Sequence, residues 1–329
     1  MLMPSNTHFL LKLMLSSFVF LLQSTYTLAH PGIGIVKDSK GNIYYTDLQQ
    51  VWKISNGHKS IAVPHVHTHE LYIDAQDNLY GEHQFNNAAG DTFYHYMWQL
   101  QPNGKLDTVY PTQIAYQQIN FSLARDKAGN EYYTRQFIKR PNDAHIYKKD
   151  RNGNETVFAR GNFKGVTWLH PQNNGSLLFV QNNNVYKATP DGKVICLAKN
   201  IGSKQPSFHF SGNSITVWGV WQDAAANTYV AVFSDQAVKK IAPDGSVSNY
   251  YQSKGEWAPL HGVFDNEGRL WVIESSDKNE IRVVAANAVV PEKNQTFTIV
   301  YTSGILVTAI LIYLLFTQPK KVAHKIQTA

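Results

Sequence analysis

The chain has 329 residues, 43% of them hydrophobic and 16% charged, with 30 basic against 24 acidic side chains and a formal net charge of +6. Four of the basic residues, Lys12, Lys320, Lys321 and Lys325, lie in end segments that carry no acid, so the remainder is close to neutral and has no nucleic-acid footprint. The single cysteine, Cys196, excludes an intrachain disulfide framework; within "VICLA" it reads as a small buried hydrophobe.

Residues 1–29 contain Lys12, no acid, an apolar run from Leu13 to Leu22, and the small-residue pattern Thr27-Leu28-Ala29. This is the layout of a secretory signal peptide cleaved after Ala29; an uncleaved N-terminal anchor is the competing reading. Cleavage there would expose His30, whose amine and imidazole together can chelate copper.

From residue 30 onward one unit recurs. "GIVKDSKGNIYYTD" (34–47) returns as "LYIDAQDNLYGEH" (71–83), "LARDKAGNEYYTR" (123–135), "TWLHPQNNGSLLFVQ" (167–181), "GVWQDAAANTYVAV" (219–232) and "GVFDNEGRLWVIE" (262–274). Each copy reads as a strand, an Asp/Asn/Gly turn and a second strand of alternating apolar residues. Third strands follow as "VWKI", "YMWQL", "HIYKK", "VYKA", "VKKI" and "EIRVV", and turns such as "QPNGK" and "TPDGK" lead to fourth strands. Four antiparallel strands in about 45 residues is the period of a propeller blade. The expected fold is therefore all-β, a six-bladed β-propeller over residues 30–290. The sixth unit shows no clear fourth strand, so an irregular or incompletely closed last blade is expected.

Residues 291–296 read as a juxtamembrane linker. Residues 297–316, "FTIVYTSGILVTAILIYLLF", carry no charge over 20 residues and match the length of a transmembrane helix. The lysines that follow place the tail, 317–329, in the cytoplasm by the positive-inside rule. The expected product is a single-pass membrane protein with its propeller extracytoplasmic, either periplasmic or extracellular.

"GIVKDSKGNIYYTDLQQVWKI" and its relatives resemble NHL repeats and, more broadly, the senescence-marker/gluconolactonase group of six-bladed propellers. The resemblance spans nearly the whole stretch between the end segments. It implies a central channel and a ligand at its mouth, in a group that includes metal-dependent hydrolases, lyases and non-catalytic binders. The lactonase pattern places a channel glutamate in an E-G-P-x-W context, with an asparagine and an aspartate from other blades. Glu70 stands in the matching place but is followed by Leu71-Tyr72-Ile73, and Ser122, Trp168 and Gly219 occupy the first-strand positions of blades 3 to 5.

Propeller geometry puts the start of each first strand and the end of each second strand at one mouth. His67, His69 and Glu70 would meet Glu82 and His83 there, joined by Asp47, Arg135, Trp168, Glu274 and His261, while Gly34 and Gly219 leave room for a ligand. Imidazole and carboxylate at one concave site suit a divalent metal (Zn, Cu or Ca) held by His69, His83, His261 and His30, and equally suit acid–base work by Glu70 and His83. His67, Asp47, Arg135, Trp168 and Glu274 are the expected ligand contacts. The link 84–95 reads as a lid, and 91–100 as packing between blades. No nucleophile elbow, P-loop or dinucleotide fingerprint is present, so no organic cofactor is expected. Two readings stand: a small-ligand propeller that works as a hydrolase or lyase, and a non-catalytic ectodomain that binds a protein or glycan on its rim.

Overall fold

The repeat is built on one local clamp. In blade 1, Asp38 Oδ1 accepts from the backbone N–H of Lys40 (3.0 Å) and Asn42 (2.8 Å), and Oδ2 accepts from Asn42 Nδ2 (2.6 Å) and the Tyr44 hydroxyl (3.3 Å). Asp74, Asp126 and Asp223 hold Asn78/Tyr80, Asn130/Tyr132 and Asn227/Tyr229 in the same way. In blade 6, Asp265 binds the Arg269 N–H and Nε and the indole of Trp271 instead. In blade 4 a glutamine, Gln172, takes the turn and accepts from Ser176 Oγ at 2.5 Å. The aligned asparagines of blades 1, 2, 3 and 5 are thus the partners of an aspartate that folds the first hairpin.

The computed structural model describes residues 33–115, 121–135, 144–202, 216–223, 225–286 and 288–289. They belong to one unit, Met1–Val290. The expected signal segment, His30, the linker, the membrane span and the tail lie outside the described residues. Among the described residues no helix is long and apolar enough to cross a membrane.

Six antiparallel sheets follow in chain order, each a meander. Their inner strands are Ile35–Lys37, Leu71–Ile73, Val166–Pro171, Val217–Gln222 and Trp257–Phe264 in blades 1, 2, 4, 5 and 6. In blade 3 the inner strand is reduced to a single bridge, Arg125 to Glu131, so its sheet has three strands. The last blade has a fourth strand after all, the two-residue Ala288–Val289 paired with Val284 and Ala285.

Apolar layers between blades form the core. One cluster joins Ile33, Ile35, Ile43 and Tyr45 of blade 1 to Ala258, Leu260, Trp271 and Ile273 of blade 6, which closes the ring by packing. Lys37 Nζ donates to Asn266 Oδ1 (2.9 Å) across the same junction. Because each sheet is a contiguous stretch, no strand is exchanged between the first and last blades in the described residues.

Two expectations are corrected here. Cys196 is exposed on the outer strand Val194–Ala198, where the edge of the blade faces solvent. Half of the link 84–95 is strand: the second strand of blade 2 runs Leu79–Asn86 and the third Phe93–Leu100, leaving residues 87–92 as the turn. The alternation in "EHQFN" and "FYHY" continues the ladder, with Phe85 opposite Tyr94 and His83 opposite Tyr96.

Asp223→Ala removes four hydrogen-bond acceptances at once and strands the buried hydroxyl of Tyr229. The expected loss is about 2–3 kcal/mol in chemical denaturation. The same change at Asp150, whose turn lies at an exposed edge, should cost clearly less.

Candidate functional site

Four residues before each turn residue, at one level of the ring, stand Gly34, Glu70, Ser122, Trp168, Gly219 and His261. Glu70 is the only carboxylate among them. Burial, and then the neighbouring charge of Glu82, push its pKa up to about 7.

Glu82 comes from the second strand of blade 2 and is enclosed from three sides. Gln84 Nε2 donates to its Oε1 (2.7 Å), His69 Nδ1 lies 3.9 Å from Oε1, and His95 Nδ1 lies 3.7 Å from Oε2. His95 is buried on the third strand, its ring stacked on Phe121 at 4.7 Å. The inner, second and third strands of one blade therefore contribute Glu70 with His69, Glu82 and His95. Sequence reasoning missed His95. Its signal was the continued alternation of the 93–100 segment, which places a histidine across from Gln84.

The other two histidines of blade 2 hold the approach to this cluster. His83 Nδ1 accepts from the backbone N–H of His67 (2.8 Å), so its proton sits on Nε2. Burial, followed by the nearby His67, lowers the His83 pKa. His67 Nδ1 donates to the Leu48 carbonyl (2.9 Å), tying this loop to blade 1. Thr68 Oγ1 donates to the Glu82 carbonyl (2.5 Å) and fixes the backbone beneath the carboxylate.

The remaining expected site residues are placed elsewhere. Asp47 caps its own loop, accepting from Gln49 N, Gln50 N and Trp52 Nε1. Arg135 pairs with Glu155, its guanidinium 4.1 Å over the Tyr147 ring. Glu274 is fully buried and accepts from Arg282 Nε (2.7 Å), Tyr251 OH (2.9 Å) and Ser253 Oγ (2.5 Å). These carboxylates and guanidinium are committed to protein partners.

His261 does not join blade 2. Its ring lies against Trp168 (4.8 Å) and Trp221 (5.2 Å) in blades 4 and 5. Gly219, expected to leave room for a ligand, is filled by that ring, since a Cβ there would stand 2.2 Å from His261 Cδ2. Gly34 is likewise closed by Leu71, whose Cγ would be 2.9 Å from an added Cβ.

The described residues by themselves do not assemble a ligand set for the divalent ion that the propeller resemblance implies. Among the described residues no group of three or more His, Cys, Asp or Glu could hold a metal. His83 has already spent its Nδ1 lone pair, and His261 is in another sector. His30, the remaining expected ligand, lies outside the described residues.

No protein-family model matches the chain, and no curated protein resembles it in sequence. Solved structures share the fold. A putative gluconolactonase is 14% identical, with a TM-score of 0.51 over 80% of this chain and 91% of that one. A gluconolactonase from Xanthomonas campestris is 13% identical, with a TM-score of 0.50 over 76% of this chain and 84% of that one. An auxiliary nutrient binding protein from Bacteroides ovatus is 11% identical, with a TM-score of 0.51 over 78% of this chain and 69% of that one. At these identities the likeness establishes the six-bladed propeller and leaves the chemistry to the site.

Proposed function

We propose that this chain, a six-bladed propeller sharing its fold with gluconolactonases and with a nutrient binding protein, binds a small ligand at the blade 2 mouth. It acts there as a hydrolase or lyase through acid–base chemistry at Glu70. The observation that carries the reading is the grouping around Glu82 in one blade: His69 and His95 flank its carboxylate, and its charge, after burial, pushes the Glu70 pKa up to about 7.

Each residue has a task. Glu70 gives or takes the proton on the ligand. Glu82 sets its affinity for that proton through charge, and His69 and His95 position Glu82 from either side. His67 and His83 keep the loop before the inner strand in place.

The test is turnover of a panel of small esters and of substrates prone to β-elimination by the full-length protein. Turnover that survives EDTA and depends on His95 supports the reading. A panel with no turnover, but with saturable binding of a protein or glycan, would favour the non-catalytic reading. That alternative has its own support, since His67, His83 and Thr68 are spent on holding loops.

The same proposal places the propeller outside the cytoplasm, tethered by 297–316, on the strength of an uncharged 20-residue span followed by lysines. Protease added to intact cells should degrade the propeller and spare a tag placed after Ala329. Survival of the propeller would reverse the orientation.

A further inference from the structure

Blade 2 carries an outer strand unlike the other five. Leu106–Ile114 runs nine residues, against six or fewer in the outer strands His58–Val63, Glu155–Ala159, Val194–Ala198, Val247–Gln252 and Ala288–Val289. It ends its sheet, so among the described residues no strand pairs with its outward edge. Exposed large apolar side chains also concentrate here. Phe93, Leu106, Val109 and Ile114 belong to blade 2, while Ile61, Ile195, Val247 and Tyr250 are spread over blades 1, 4 and 5. Leu106 is 48% exposed and Val109 40%.

A long apolar edge is a template for another strand unless charges or breaks guard it. Lys59 and Glu155 stand in the outer strands of blades 1 and 3, and those of blades 4 and 5 are uncharged but short. In Leu106–Ile114 the sole charge is Asp107, which is held by its own Lys105 (2.9 Å) and by Gln101 Nε2 (3.2 Å). Pro111 falls in the register shift between Tyr110 and Gln113, where the ladder to the third strand is already interrupted.

The strand's own sequence indicates what covers it. "LDTVYPTQI" is nearly symmetric about Tyr110: Val109 mirrors Pro111, Thr108 mirrors Thr112, Asp107 mirrors Gln113 and Leu106 mirrors Ile114. Exposure follows the same symmetry, with Asp107, Tyr110 and Gln113 half-buried and the other six residues exposed. Laid antiparallel against itself about Tyr110, the strand sets apolar against apolar, threonine against threonine, and its one carboxylate against an uncharged amide. Such a contact is isologous, so one patch serves both copies and the assembly closes at two. A foreign peptide would need no mirror symmetry in the strand that receives it.

We propose that Leu106–Ile114 pairs antiparallel with the same strand of a second copy, with Tyr110 on the two-fold axis. The two four-stranded blade 2 sheets then join into one continuous sheet. The channel mouths of the two copies face opposite directions, because the paired strands do. The inference goes beyond the blade 2 mouth and uses no residue of the Glu70 and Glu82 cluster.

The test is sedimentation of the full-length protein in detergent over a range of concentrations, with covalent trapping of the register. The wild type should sediment as a dimer at the upper end of the range. Val109→Lys puts a charge on the exposed edge and should raise the dissociation constant about tenfold or more. In a Cys196→Ser background, which removes the exposed native thiol, Thr108→Cys combined with Thr112→Cys should cross-link two copies on mild oxidation. Opposed residues of an antiparallel pair lie about 4.5–5.5 Å apart, within disulfide reach. Neither single cysteine should cross-link, since each then faces a threonine. A monomer at every concentration would overturn the proposal. So would a dimer that Val109→Lys leaves unchanged, which would put the association elsewhere in the chain. Single cysteines that cross-link as readily as the pair would overturn the register and the proposal with it.

Discussion

Glu274→Ala is expected to destabilise the propeller by about 3–5 kcal/mol, the cost of removing one partner from a buried ion pair. Glu274 is fully buried, while Arg282 keeps 20% side-chain exposure. Arg282 is also fixed over the Trp257 ring at 4.1 Å, so it cannot simply swing into water when its carboxylate is lost. The Tyr251 and Ser253 hydroxyls lose their acceptor in the same step. Glu274→Gln keeps an oxygen for the hydroxyls but leaves the guanidinium without a counter-charge, and should fall between the two. Denaturant titration measures all three. A loss below about 1 kcal/mol for the alanine variant would show a solvated rim carboxylate, restoring Glu274 as a candidate ligand contact.

Glu274 also shows what the sequence could and could not reveal. The architecture was legible because it is periodic: a turn clamp, Asp with Asn and Tyr in blades 1, 2, 3 and 5 and a variant of it in blades 4 and 6, repeats at blade spacing, so strands, turns and blade number could be counted. The level of each residue in the ring was legible for the same reason. Counting back from the turn residues brings Glu70, Trp168 and His261 to one height. What a repeat does not encode is which way a side chain turns once there. Single-residue bulges before Trp168 and His261 rotate them toward each other, and a bulge leaves no compositional mark in strands of this kind. Glu274 and Asp47 reach the expected ends of their strands, but side chains of neighbouring strands, Tyr251 and Arg282 for one and Trp52 for the other, claim their oxygens. His95 escaped because a link over 84–95 overruns the 87–92 turn by three residues at each end, which puts His95 in a loop instead of a strand.

Glu70→Gln is expected to lower turnover by about 10²- to 10⁴-fold, the usual worth of a positioned proton donor or acceptor, and to raise stability at the same time. The two effects have one cause. Burial and Glu82 hold the Glu70 pKa at about 7 against an ordinary 4.5, so the folded protein retains a proton that the unfolded chain releases. Between those values the native state binds more protons, and stability must fall as pH rises. Ionising Glu70 in the folded protein costs on the order of 3 kcal/mol for a shift of this size. The glutamine variant, which cannot ionise, should match the wild type below pH 4.5 and exceed it increasingly above, with the gap complete once the pH passes 7. The pH dependence of wild-type turnover then assigns the role. A rate that falls as pH rises through about 7 marks Glu70 as the acid; one that falls as pH drops through the same value marks it as the base. Should the variant show the wild-type stability profile, the carboxyl is ordinarily solvated, and the acid–base reading of the blade 2 mouth loses its central group.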